Sequence, residues 1–252
     1  MSLNRIIPLL LLDQKKLVKT SIFSNAKYVG DPKNTIRLFN EMNCSEIILL
    51  DIGITKKNQK INFKFLENIV SEAFMPVTYG GGVKNLDDIN NLINIGCEKV
   101  SINNRSISDD SFFLDAVEKF GSSTIVASID IVKKDNEFYC FNYLENKTLD
   151  KSINQKIRDL NKYEIGEYLI NFVENDGQMS GFDKNSIKKI LDMTNSQITF
   201  CGGASSYQDM IDTFNCGAKS LAAGSLFVYQ AKNSGVLINY PDEEEYYQML
   251  QI

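Results

Sequence analysis

The 252-residue sequence contains no histidine. That absence removes Ser-His-Asp triads, Cys-His dyads and histidine-ligated metals, so proton transfer falls to carboxylates, lysine, tyrosine, cysteine or backbone groups. Long apolar runs are missing too. The longest early stretch, Ile6 to Leu12, is interrupted by Pro8 and followed directly by Asp13, too short for a membrane span and without a small-residue cleavage site. It reads as a buried strand. No charge sign dominates: 27 basic and 32 acidic residues are mixed along the chain, giving a net charge of -5 and no nucleic-acid or membrane footprint. The five cysteines (Cys44, Cys97, Cys140, Cys201 and Cys216) are odd in number, widely spaced and free of any C-x-x-C pair. This argues against a disulfide framework or a zinc site and points to a reducing cytoplasm. No metal and no cofactor are expected.

What is present is a chain with 43% hydrophobic residues, able to bury a large core, of the roughly 250 residues that a barrel of eight strand-helix units needs. Short β-rich runs recur, each followed by a polar, helix-compatible stretch. The expected strands are Ile6–Leu11, Glu46–Asp51, Val77–Tyr79, Lys99–Ile102, Ile125–Asp130, Glu167–Phe172, Gln197–Cys201 and Lys219–Ala222. Eight strands without an evident linker predict a single soluble α/β domain over residues 1–252, a (β/α)8 TIM barrel. Lys133 to Tyr143 reads as a hairpin inserted after the fifth strand, and Asp242 to Ile252 as a closing helix.

An internal repeat supports a barrel made of two similar halves. Gly80-Gly81-Gly82-Val83 after the third strand has a counterpart in Gly202-Gly203-Ala204 after the seventh, and Asn103 after the fourth matches Gly224-Ser225 after the eighth. Gly82 to Gly203 and Asn103 to Gly224 are each separated by 121 residues, so the halves align in one register.

Glycines at the C-terminal ends of barrel strands let backbone N–H groups approach a phosphate. Two clusters at symmetric positions favour two phosphate sites over tight turns alone. The first comprises Gly81, Gly82 and Asn103; the second, Gly202, Gly203, Gly224 and Ser225, is the stronger. Lys19 in the first βα loop is a candidate flexible cation for either site. Among carboxylates, Asp130 closes the fifth strand, where barrels deliver catalytic side chains. Asp51 ends the second strand, and Asp176 precedes Gly177 in the loop after the sixth. Each is either an acid-base group or a loop-capping carboxylate.

These residues together resemble the cyclase subunit of imidazole glycerol phosphate synthase, the HisF-type barrel of histidine biosynthesis, over essentially the whole chain. The resemblance is carried by Arg5-Ile6-Ile7-Pro8, Lys19, Phe23, Gly30-Asp31-Pro32, Leu50-Asp51-Ile52, Gly80-Gly81-Gly82 and Lys99-Val100-Ser101-Ile102-Asn103. Ile129-Asp130, Asp176-Gly177, Ser180-Gly181, Gly202-Gly203-Ala204 and Ser225-Leu226-Phe227 extend it. It implies a HisH-type glutaminase partner docked on the N-terminal face, with ammonia passing through the barrel to attack a ribulosyl aminoimidazole bisphosphate. It implies, too, a gate of charged residues at the strand bottoms, here Arg5, Glu46, Lys99 and Glu167, whose bland alternative is a solvated or stabilising cluster. Glu98 beside it is a candidate contact for a basic partner residue.

The sequence departs from the family at the other mouth. Two aspartates serve there as acid and base; the second is Asp130, and the first falls on Leu11, which cannot transfer a proton. Asp13 is a poor substitute, two residues beyond the expected strand end and about 6–7 Å further along the chain. Gln14-Lys15-Lys16, Gly53, Asn104 and Asn171 are further departures. Two functions are therefore carried forward. One is the family's ammonia-dependent cyclase and lyase, with Asp130 as the surviving catalytic residue. The other is a paralogue without cyclase activity that activates a glutaminase and channels ammonia to an amidotransferase of surface-sugar biosynthesis. A sister isomerase of the same pathway ranks third, because the gate quartet and Asp176-Gly177 with Ser180-Gly181 look more like the cyclase.

Overall fold

The computed structural model describes residues 4–103, 110–231 and 235–250. Asn104 and the last two residues of the expected closing helix lie outside them. In chain order the strands are β1 (Arg5–Asp13), β2 (Lys16–Ser21), β3 (Ser24–Gly30), β4 (Ile47–Asp51), β5 (Val77–Gly80), β6 (Lys99–Ile102) and β7 (Ile125–Lys134). They continue with β8 (Glu137–Asn142), β9 (Lys147–Ser152), β10 (Glu167–Phe172), β11 (Gln197–Cys201) and β12 (Ser220–Ala223). Eight of them, β1, β4, β5, β6, β7, β10, β11 and β12, pair in parallel in that order, and β12 returns to β1. The result is a closed (β/α)8 barrel surrounded by helices.

Alternation along β1 shows how one apolar run serves two cores. Ile7, Leu9 and Leu11 point into the barrel, where they join Ile48, Val126, Leu169 and Ala222. Ile6, Leu10 and Leu12 point outward into the larger layer beneath the helices. A strand buried on both faces must be apolar on both, which is why β1 reads as a continuous hydrophobic run. The outer helices begin at side-chain caps: Asp31, Asn62, Asn85, Asp183 and Ser206 each accept a hydrogen bond from a first-turn amide, and Ser152 with Gln155 closes a reciprocal capping box.

Three expectations need correction. β1 runs to Asp13, so Asp13 is the strand's last residue and not a loop residue. The first βα connection is an antiparallel hairpin, β2–β3, entered through a turn in which Gln14 and Lys15 both have positive φ, as a two-residue hairpin loop requires. β7 likewise continues past Asp130 to Lys134, and the insertion after it has a third strand, β9, where only a hairpin was expected. The closing helix spans Glu243–Leu250.

Candidate functional site

The barrel has two differently built ends. At the N-terminal end, Arg5 grips both oxygens of Glu46, at 2.6 Å each, and reaches Glu167 Oε1 at 3.0 Å. Lys99 Nζ donates to Glu167 Oε2 at 2.7 Å. The four charges thus form one hydrogen-bonded chain, Lys99–Glu167–Arg5–Glu46. On its interior side the Thr199 hydroxyl donates to Glu167 Oε1 at 2.5 Å and lies 2.7 Å from Ser220 Oγ. Burial alone would raise the Glu167 carboxyl. Arg5 and Lys99, aided by the Lys99 and Thr199 hydrogen bonds, hold it below its ordinary value instead. Glu98 stands exposed beside this cluster.

The middle of the barrel is largely apolar, with Ile7, Leu9, Ile48, Val126 and Leu169 above the charged ring and the buried hydroxyls of Thr78, Ser101 and Ser128 set among them. Leu11 continues this column upward and lines the floor of the cavity at the opposite end. That cavity occupies about 1090 Å³ including its open mouth, and both glycine clusters border it. Asp130 lines it from β7, across the eight-stranded ring from β1.

Asp130 is 7% exposed. The Asn103 side-chain amide donates to its Oδ2 at 2.9 Å and that of Asn171 to its Oδ1 at 3.2 Å. Burial outweighs both bonds and pushes its carboxyl up to about 6, with some help from the charge of Asp176. Asn103, expected in the first phosphate site, therefore spends an amide hydrogen on Asp130. Asp51 also lines the cavity. Its Oδ1 accepts from the amides of Gly53 and Ile54 at 3.1 and 3.2 Å, and burial raises it to about 6 against those bonds. Asp13 does not line the cavity. It is paired with Lys57 Nζ at 2.5 Å, and Gly53 leaves room for it, since a β-carbon there would collide with Asp13 Oδ1.

Lys19 lies on β2 and is buried, not flexible in a loop. Its Nζ donates to Asp176 Oδ1 at 2.8 Å, while Asp176 Oδ2 accepts from the Thr20 hydroxyl at 2.8 Å and the Phe23 amide at 3.4 Å. The Ile22 amide adds a bond to the Asp176 carbonyl. Gly177 packs against the Thr20 backbone. Together these contacts latch the β2–β3 hairpin onto the loop after β10. From its tip, Phe23 meets Phe141 of β8 at 6.2 Å between ring centroids, so the two insertions touch across the mouth.

The paired glycines occupy equivalent conformations. Gly81 and Gly202 have φ of 118° and 94°. A β-carbon at Gly81 would overlap the Asp51 carbonyl, and one at Gly202 would lie 2.6 Å from the Phe172 carbonyl. Close backbone packing thus demands glycine at both, whatever binds there. Gly82 and Gly203 also have positive φ. Independent support for an anion comes only at the second cluster. There Ser225 Oγ is buried without a hydrogen-bond partner, and the Lys19 side chain runs against Gly224. Sequence reading missed Thr199 and Ser220, buried hydroxyls that no pattern betrays. It also missed Lys56 and Tyr143, which line the cavity together, with Lys56 Nζ 5.8 Å from the centroid of the Tyr143 ring.

Fold and ends together define a two-ended (β/α)8 barrel, with an ionic ring at the strand bottoms and a cavity bearing two glycine cradles at the top. The model of the histidine biosynthesis protein family matches residues 5–233, and the chain belongs to that family. Among curated proteins it is 41% identical to the putative imidazole glycerol phosphate synthase subunit hisF2 of Pseudomonas aeruginosa, covering 95% of this chain and 96% of that one. It is 35% identical to the putative HisF subunit of Leptospira borgpetersenii, covering 94% and 95%. With the HisF subunit of Helicobacter hepaticus it shares 33% over 94% of each. All five cysteines are free thiols, and no helix among the described residues is long and apolar enough to cross a membrane.

Proposed function

We propose that this chain, a single cytoplasmic domain, is the barrel subunit of a glutaminase pair. In this reading it receives ammonia from a HisH-type glutaminase at its N-terminal face and carries it to the opposite mouth without performing cyclase chemistry. The observation that carries this reading is Leu11. It extends the apolar interior into the cavity floor opposite Asp130, so β1 presents no carboxylate to work with Asp130 from the far side of a substrate. An apolar interior suits a small neutral molecule, and the ring of Arg5, Glu46, Lys99 and Glu167 would exclude bulk ions while parting for ammonia. Glu98 would meet a basic residue of the glutaminase at the rim.

The mouth keeps a phosphorylated ligand, held at Gly81 and Gly82 on one side and at Gly202, Gly203, Gly224 and Ser225 on the other, with Lys19 near the second phosphate. Asp176 and Gly177 hold the hairpin over it. Downstream, an amidotransferase of surface-sugar biosynthesis would use the ammonia. One observation favours the alternative, a working imidazole glycerol phosphate synthase cyclase: Asp51 and Asp130 both border the cavity with carboxyls near 6, where each could exchange protons at neutral pH. Assay of the purified chain with an ammonium salt and the ribulosyl aminoimidazole bisphosphate separates the two. We expect no turnover above background; turnover of about 1 per second or faster, ordinary for a biosynthetic enzyme, would establish the cyclase instead.

A further inference from the structure

Among the described residues, Asp130 is a buried carboxylate without a counter-ion. A carboxylate offers about four acceptor positions, and the amides of Asn103 and Asn171 occupy two. Among the described residues no lysine or arginine pairs with it. Of the two lysines that line the cavity, Lys19 is committed to Asp176 and Lys56 lies over the Tyr143 ring, 5.8 Å from its centroid. The groups facing Asp130 make its isolation plain. Asp176 lies towards the β2–β3 hairpin and carries a like charge, and Cys201 on β11 has its thiol pushed far up by burial. Tyr143 faces it from the β8–β9 turn, likewise raised by burial. Lys156 and Cys140 share a small side cavity with Asp130, but Lys156 is ion-paired with Asp110.

A buried charge left in this state asks for a partner supplied from outside. The route up the barrel, past Leu9, Leu11 and Leu169, offers hydroxyls at Thr78, Ser101 and Thr199 but, among the described residues, no carboxylate between the ring and the cavity. Where that column opens into the cavity, Ser101, Ser128, Asn103, Asn171 and Asp130 line one side of it, and Asp130 is the carboxylate among these five.

We infer that Asp130, with Ser128 beside it, is a binding site for ammonium, the point at which ammonia leaving the barrel interior is held as an ion. The inference rests on the ammonia-conducting reading above. In the capture step the ammonia lone pair takes the proton of the Asp130 carboxylic acid: an N–H bond forms, the O–H bond breaks, and an ammonium carboxylate pair remains. When Asp130 is already ionised the proton comes from water, and hydroxide is left. Release reverses either step and returns neutral ammonia with its lone pair free to attack an acceptor. The site thus stores the nitrogen without consuming it, and Asn103 and Asn171 keep the carboxylate turned towards the cavity.

The test is proton-detected NMR of 15N-ammonium chloride added to the full chain, with ammonium held in slow exchange as the signature of a bound ion. Wild type is expected to show it at pH 7 to 8 and to lose it as the pH falls through about 6, where Asp130 becomes protonated. Asp130→Asn, close in shape, should bind at least roughly tenfold more weakly because the charge-assisted bonds are gone. Asn171→Ala should bind more weakly than wild type while retaining the carboxylate. No bound signal in wild type overturns the proposal, as does equal binding by Asp130→Asn. Displacement by sodium or potassium at the concentration of ammonium itself also overturns it. Stimulation of a glutaminase by a barrel that binds no ammonium refutes this site alone; ammonium binding by a barrel indifferent to glutaminase refutes the conduction reading alone.

Discussion

Replacement of Glu167 by alanine is expected to destabilise the barrel by about 3 kcal/mol and to uncouple ammonia transfer from glutamine hydrolysis. Glu167 is 5% exposed and serves two cations at once, Arg5 on one oxygen and Lys99 on the other. Its removal leaves both without a shared partner and takes away the acceptor for the Thr199 hydroxyl. The loss should follow pH with a definite sign. The folded-state carboxyl lies below its ordinary 4.5, so its contribution is complete above that value and is lost as pH falls towards the folded one. Chemical denaturation of wild type and Glu167→Ala should therefore differ fully at pH 7 and converge in acid. With glutaminase present, ammonia should escape to solvent in the variant. Transfer as tight as wild type in both Glu167→Ala and Lys99→Ala would remove the gate from the account.

On the proposed function, Leu11→Asp should create the cyclase activity that the wild-type chain is expected to lack. The new carboxylate would stand across the barrel from Asp130 at the same cavity, restoring the two-sided arrangement. Acid-base catalysis of this kind is worth about 100- to 10,000-fold, so the gain would be visible against an inactive parent. It carries a structural penalty, because Leu11 packs with Leu9, Ile48 and Leu50 in the inner cluster. A carboxyl there without a full set of partners costs about 2–4 kcal/mol, and a lowered melting temperature should accompany the new activity. Folded Leu11→Asp protein that remains inactive with ammonium and the ribulosyl substrate would show that the mouth has diverged beyond one residue. Asn171 on Asp130 and the Lys57-bound Asp13 are the places to look next.

The barrel was legible because its strands are buried on both faces and leave continuous apolar runs such as Ile6–Leu12. β3 and β9 left no such trace. Ser24–Gly30 is largely exposed, and Lys147–Ser152 is polar for the most part and exposed or half-buried throughout. Partners far away in sequence hold the first of these hairpins, chiefly Asp176, which lies 157 residues from Lys19. Local pattern contains no information about such a latch. The site divides in the same way. Aspartates and glycines at strand ends stand out from position alone, whereas the charges at the strand bottoms look by pattern like any solvated surface; the family resemblance singles out Arg5, Glu46, Lys99 and Glu167, and the structure bonds them in one chain. Leu11 is a parallel case. Local pattern makes it an ordinary core leucine; the family resemblance marks it as the place of a missing aspartate, and the structure sets it against a cavity that Asp130 borders from the other side.

The central claim is that this barrel works with a glutaminase, and the turnover of a HisH-type glutaminase from the same genome tests it most directly. Glutamine hydrolysis is measured with and without the barrel, in the presence of inorganic phosphate to fill the cradles. The account predicts stimulation of roughly tenfold or more, a coupling of at least about 1.4 kcal/mol between the two subunits. A glutaminase whose rate is the same with and without a saturating amount of this chain would contradict it.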